Sequence, residues 1–190
     1  DADEKLLAKL KEQKAGYDKT VAALTDKYVR EYVRTQLEDF REKSPRFVYL
    51  FRRLAETSRR IVLDTAQELR RSDFRPLDFE LNFSNKDDAD LPPVSVGSGE
   101  DEFVLTGTAD RVDGWEHGGK LYIRIVDYKS GKKKFALSDV WQGMGLQMLL
   151  YLFTLEKHGA ERYGKEIVPA GVLYVPAHDI LVRADKRLSD

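Results

Sequence analysis

The stretch "GTADRVDGWEHGGKLYIRIVDYK", residues 107–129, decides the fold. In its second half Leu121, Ile123 and Ile125 alternate with Tyr122, Arg124 and Val126. That period of two, rich in β-branched and aromatic residues, predicts a strand. "FVLTGTADRVDGW" predicts another, and "EHGGK" between them is a turn, so the two read as a β-hairpin. Side chains two apart on a strand share a face. Asp127 and Lys129 therefore project with Leu121, Ile123 and Ile125. An apolar face that ends in an acid and a lysine sets charge at the rim of a core, which is costly unless the charges pair or bind a metal. The hairpin also brings Asp110 of the neighbouring strand towards them.

Two readings of this cluster stay open on spacing alone. One is a rim salt bridge between Asp127 and Lys129, because D-x-K is a weak motif. The other is phosphodiester cleavage. Hard divalent cations such as Mg²⁺ prefer oxygen ligands, and Asp110 and Asp127 supply two carboxylates. A metal held there lowers the pKa of a bound water and stabilises charge on phosphorus oxygens. Lys129 would orient the water or stabilise the developing charge. The backbone carbonyl of Tyr128, between the two side chains, would be a further ligand.

Outward from the hairpin, the pattern becomes helical. Residues 3–42 carry Leu6, Leu7 and Leu10, then Val21, Leu24, Tyr28, Tyr32 and Leu37, at helical spacing, with Gly16 expected to break the run into two. Ser44-Pro45 predicts a restart, a cap followed by proline in the first turn. The helix it opens runs to about Arg71, with Val48, Phe51, Leu54, Ile61 and Leu69 on one face and Arg52, Arg53, Arg59, Arg60 and Arg70 on the other. Those arginines read as a solvated face or as a path for a phosphate backbone. In "PLDFELNF" the residues Leu77, Phe79, Leu81 and Phe83 alternate with polar ones, which predicts a half-buried strand. Ser138 or Asp139 is expected to cap a helix ending near Gly159, and "VPAGVLYV" to form a last strand. Gln147 and Tyr151, four apart on that helix, share a face; they read as satisfied core groups or as a pair serving the site.

The order gives one α/β domain: a central mixed β-sheet flanked by helices, with a helical segment over 1–75 and the core over 76–190. Its 190 residues suffice for one well-packed domain. No apolar run approaches the roughly 18 residues that cross a bilayer, and no membrane partner is expected. The three histidines, His117, His158 and His178, show no zinc spacing. With no cysteine, the chain has no disulfide, cysteine-bound zinc or thiol nucleophile, which suits a cytoplasmic setting. It opens on Asp1, as expected for a piece of a longer protein. Net charge is −1, but unevenly placed. Residues 1–75 hold 18 Lys and Arg against 14 Asp and Glu, residues 76–102 one against eight, and residues 103–190 thirteen against eleven. The acidity centres on "NKDDADLPPVSVGSGEDE", which reads as a solvated loop. Lys132, Lys133 and Lys134 form a basic stretch beside the cluster, either a phosphate contact or an ordinary turn.

Taken together, "GTADRVD", "LYIRIVDYKSGKKK", "QMLLYL" and "PAGVLYV" resemble the PD-(D/E)XK nuclease superfamily, in its RecB-like branch, and more closely are similar to the C-terminal nuclease domain of AddB-type helicase–nuclease subunits. The match covers roughly residues 76–178. It implies a restriction-endonuclease-like core that cleaves single-stranded DNA with Mg²⁺, or Mn²⁺ in its place, beside an AddA-type helicase partner during double-strand-break processing. It makes Asp110 and Asp127 the metal carboxylates, Lys129 the motif lysine, and Gln147 and Tyr151 the family's Q-x-x-x-Y pair. Glu80 matches an acidic position on the preceding strand. Relatives usually add a histidine on an upstream helix, yet none precedes His117 here. They also commonly hold an Fe–S cluster, whose cysteines would lie in the full-length protein. Rival readings are a non-catalytic DNA-binding or assembly module on a nuclease-like fold, and a Cas4-type exonuclease.

Overall fold

The computed structural model describes residues 2–37, 43–97, 99, 102–129 and 146–176. The chain divides into two compact units, Asp1–Arg71 and Ser72–Asp190. The first is a helical pair, α1 (Ala2–Gln36) and α2 (Pro45–Arg70). Ser44 caps α2, its hydroxyl oxygen accepting from the Phe47 amide at 3.3 Å, and Pro45 occupies the first turn, where its missing N–H costs nothing. Contrary to the sequence expectation, α1 runs through Gly16 without a break. A single glycine in a helix interior costs only about 1 kcal/mol against alanine, and one more turn on each side outweighs it. The helix ends at Gln36, and residues 38–42 lie outside the described residues. Tyr17 donates to the Ala66 carbonyl at 3.1 Å, Gln67 donates to Asp18 at 3.1 Å, and Arg59 pairs with Asp26, which holds the helices side by side. Between them lies an open apolar groove of about 750 Å³, lined by Leu24, Tyr28, Tyr32, Phe51 and Leu54 among others.

Among its described residues the second unit carries six strands: β1 (Arg75–Phe83), β2 (Val94–Val96), β3 (Phe103–Leu105), β4 (Gly107–His117), β5 (Lys120–Lys129) and β6 (Ile167–Pro176). Four of them form a mixed sheet in the order β1-β4-β5-β6. β1, β4 and β5 are antiparallel neighbours, and β6 runs parallel to β5. The β4–β5 hairpin turns on Gly118 and Gly119, with φ of 59° and 78°. A two-residue hairpin of this kind needs positive φ at both positions, which two glycines supply without strain. The parallel β5–β6 pair needs a crossover, and helix α3 (Gln147–Tyr163) lies within it. This helix continues four residues past Gly159, where the sequence suggested a stop, and ends at Gly164. Its expected start at Ser138 or Asp139 lies outside the described residues. Met148, Tyr151, Leu152 and Leu155 of α3 pack on Leu81, Phe83, Val112, Ile123 and Ile125 to form the core.

The acidic segment is not wholly loop. A small second sheet pairs β2 with β3, so the expected strand over 103–115 divides at Thr106. The expected alternation of β1 also fails. Leu81 and Phe83 are buried, but Phe79 is 67% exposed. The register slips between Pro76 and Asp78, and Glu80 has a left-handed φ of 53°. Two irregularities in one strand change which side chains face inward, and a two-residue period cannot announce them.

Candidate active site

The site is built where β4 and β5 part. Their ladder runs from His117↔Lys120 to Arg111↔Val126. One step further, Asp110 comes beside Asp127. The Asp110 carboxylate accepts the backbone N–H of Tyr128 at 2.7 Å, so it reaches the segment between Asp127 and Lys129. In an extended strand a residue's N–H and C=O point to the same edge. The Tyr128 carbonyl therefore faces the Asp110 side.

Leu121, Ile123 and Ile125 are buried, and Asp127 continues their row at 5% exposed. Lys129 Nζ lies 2.7 Å from Asp127 Oδ2. The contact is one of charge without hydrogen-bond alignment, and that buried oxygen has no hydrogen-bond partner among the described residues. The lysine side chain is 42% exposed, so its ammonium stands at the open end of the row. Tyr174 of β6 is the strand neighbour of Asp127, and its ring lies 5.9 Å from Lys129 Nζ. Burial and then the Asp127 charge raise the Tyr174 pKa above its usual value, with Lys129 opposing.

Gln147 and Tyr151 form the second element. The Gln147 amide donates to the Tyr151 hydroxyl at 2.7 Å, and that hydroxyl donates to the Thr106 carbonyl at 3.4 Å. The Tyr151 ring is buried and stacks on Phe83 at 4.4 Å. Gly107 explains why the pair and the "GTAD" start of β4 belong together. A Cβ at Gly107 would stand 2.0 Å from the Tyr151 oxygen, so only glycine lets the tyrosine close onto the start of β4. Gln147 and Tyr151 thus brace the backbone three residues before Asp110.

Just after that start, β4 changes the face it turns to the core. Gly107 and Ala109 pack inward, and so do Val112 and Gly114. Asp110 and Arg111 occupy the switch. Glu80 lies across from Asp110, between the Phe79↔Arg111 and Leu81↔Ala109 pairs, and carries the left-handed backbone. It is exposed. Among the described residues no three His, Cys, Asp or Glu side chains gather into one metal-binding group, so Glu80 does not join Asp110 and Asp127. Lys132, Lys133 and Lys134 lie outside the described residues. Sequence reasoning missed Arg111, Asp113, Arg124 and Tyr174. The signal for the first two was a charge pair two apart in "DRVD", on one face of a strand otherwise dictated by its apolar residues.

A mixed sheet that parts at a D…D-x-K cluster, braced by a Q-x-x-x-Y helix, defines a class. The chain belongs to the PD-(D/E)XK nuclease superfamily, whose family model matches residues 4–188. Among curated proteins it is similar to one subunit of the ATP-dependent helicase/deoxyribonuclease of Clostridium acetobutylicum, 40% identical over 149 residues, which is 77% of this chain and 13% of that protein. The subunit of the same name in Thermoanaerobacter sp. is 38% identical over 80% of this chain and 13% of its own length. That of Clostridium botulinum is 34% identical over 87% and 14%. The chain thus spans about a seventh of the length of these relatives.

Proposed function

We propose that this chain is the DNA-cleaving domain of a helicase–nuclease. In this reading it hydrolyses single-stranded DNA phosphodiesters with Mg²⁺, or Mn²⁺ in its place, beside an AddA-type helicase in the cytoplasm. The setting is resection of double-strand breaks for recombination. The observation that carries the reading is the meeting of Asp110, Asp127 and Lys129 at one strand end, with Asp110 bonded to the amide between the other two.

The donor set fits a hard divalent cation. Asp127 Oδ2 is buried and meets the Lys129 ammonium in charge contact at 2.7 Å, yet it accepts no hydrogen bond among the described residues, which leaves lone pairs to offer a cation. Mg²⁺ is commonly held by one or two carboxylates together with substrate phosphates and water, so a third acidic side chain is not required. When bound, the metal would activate water and neutralise charge on the phosphate. Asp110 and Asp127 would hold it, with the Tyr128 carbonyl on the same edge. Lys129, exposed and tethered to Asp127, would orient the attacking water or stabilise developing negative charge. Gln147 and Tyr151 would keep the start of β4, just before Asp110, in place.

The test is single-stranded DNA cleavage, with Mg²⁺ and with Mn²⁺, by the full-length protein together with its helicase partner. Asp127→Ala and Lys129→Ala should each lower kcat by about 100-fold or more. Parental activity in Asp127→Ala would overturn the proposal.

A further inference from the structure

Beneath the cluster lies a second, buried set of charges. Asp113 is 0% exposed and Arg111 2%. Arg111 Nη2 donates to Asp113 Oδ2 at 3.1 Å, and Arg111 Nε stands 2.8 Å from Oδ1 in charge contact. Arg124 of β5 closes the trio, its Nε donating to Asp113 Oδ2 at 2.9 Å. The second terminal nitrogen of Arg111, Nη1, donates to the Tyr128 hydroxyl at 2.6 Å. One carboxylate between two guanidiniums, almost wholly out of water, is an expensive way to fill space; apolar side chains of similar volume would often be as stable or more so. What such a trio supplies is direction. Asp113 fixes the plane of the Arg111 guanidinium, and its rigid fork aims one donor at Tyr128.

Tyr128 is the residue between Asp127 and Lys129, and it is held at both ends by consecutive residues of β4. Asp110 takes its backbone N–H, and Arg111 gives a hydrogen bond to its hydroxyl. Those two bonds leave β4 where the strand changes its inward face and where the β4–β5 ladder has stopped. The β5–β6 ladder continues through Asp127↔Tyr174 and Lys129↔Pro176, but on the β4 side no ladder pair follows Arg111↔Val126 to set these residues against Asp110. We infer that the Arg111–Asp113–Arg124 trio is a positioning device for the metal site, acting through the Tyr128 hydroxyl to set Asp127 and the Tyr128 carbonyl against Asp110. This inference rests on the metal-site reading above. Arg111, Asp113 and Tyr128 are here positioning residues by their side chains.

Substituting Arg111 or Asp113 leaves a buried charge without its partner and endangers folding. Tyr128→Phe instead removes one hydroxyl and leaves the backbone groups in place. The measurement is titration calorimetry of Mn²⁺ into the full-length protein without DNA, the site's share being the binding lost in Asp127→Ala. Tyr128→Phe should weaken that binding by about 3- to 10-fold, with the melting temperature within a few degrees of the parent. In cleavage assays the metal concentration for half-maximal rate should rise in parallel, KM for DNA should hold, and kcat should recover at saturating metal. Arg111→Lys, which keeps the charge but loses the fork, should show the same metal defect if it folds. Parental Mn²⁺ affinity in Tyr128→Phe overturns the inference, as does a parent with no Asp127-dependent binding. A parent that binds Mn²⁺ through Asp127 yet cleaves no DNA sinks the nuclease reading alone, and the affinity comparison still decides this one.

Discussion

At the scale of single residues, the site depends on two backbone positions that few side chains tolerate. Gly107 is one. Gly107→Ala would drive a methyl group to 2.0 Å from the Tyr151 oxygen, and φ of 157° adds some strain of its own. Overpacking of this kind costs about 1–3 kcal/mol. Tyr151→Phe removes the clashing oxygen, and the next atom is then the ring carbon at 3.2 Å. Gly107→Ala should therefore destabilise the parent more than the Tyr151→Phe background. A double-mutant cycle by chemical denaturation measures the difference; an equal cost in both backgrounds would mean that the contact does not govern the start of β4. Glu80 is the other position. Its left-handed φ of 53° costs a non-glycine residue about 1–2 kcal/mol. Glu80→Gly should melt at or above the parent temperature, and Glu80→Val, β-branched, clearly below it. If cleavage survives Glu80→Gly unchanged, the strain shapes β1 alone and not the site beside it.

Among the elements, the attachment of β1 to α3 carries a pH signature. Asp78 accepts from Arg162 Nη2 at 2.7 Å and from the Tyr163 hydroxyl at 2.6 Å. Burial alone would raise its pKa, but the bonds from Arg162 and Tyr163 and the arginine's charge outweigh that and hold it below the usual carboxylate range. A carboxylate with a depressed folded-state pKa contributes stability above its unfolded value of about 3.9, and the contribution is lost as pH falls through the folded value. Asp78→Asn should lower stability at pH 7 by about 1–3 kcal/mol, since it weakens two bonds to a charged acceptor. It should also flatten the stability curve below about pH 4. Thermal melts from pH 7 to pH 3 compare the slopes, and parallel curves would refute the assignment. This clasp also marks what sequence can and cannot say. The α2 cap, the hairpin turn and the row from Leu121 to Lys129 are local and periodic, and they are written in Ser44-Pro45, Gly118-Gly119 and the alternation of β5. The slip near Leu77, the twist at Glu80 and the parallel pairing of β5 with β6 arise from contacts far apart in the chain, such as that of Asp78 with Arg162. The site divides the same way: Asp127 and Lys129 follow from period two, whereas the hold of Arg111 on Tyr128 needs the register of two strands.

For the molecule as a whole, the question is how a chain of net charge −1 would hold a polyanion. The acids crowd into residues 76–102, one lysine against eight, which leaves the rest mildly basic. Binding must then be local and electrostatic, and local contacts can be counted. For single-stranded DNA, each phosphate contact neutralised by Lys or Arg contributes about 0.7 to the slope of log affinity against log salt. Lys132, Lys133 and Lys134 come after Ser130 and Gly131, just past the end of β5 in sequence. If all three touch phosphates, replacing them together with alanine should lower that slope by about 2 and weaken binding uniformly across sequences. Fluorescence anisotropy with a labelled oligonucleotide over a range of NaCl concentrations reads both quantities in the full-length protein. An unchanged slope would make the stretch a solvated turn and shift the search for the DNA path to the arginine face of α2, where Arg52, Arg53, Arg59 and Arg60 can be tested by the same slope.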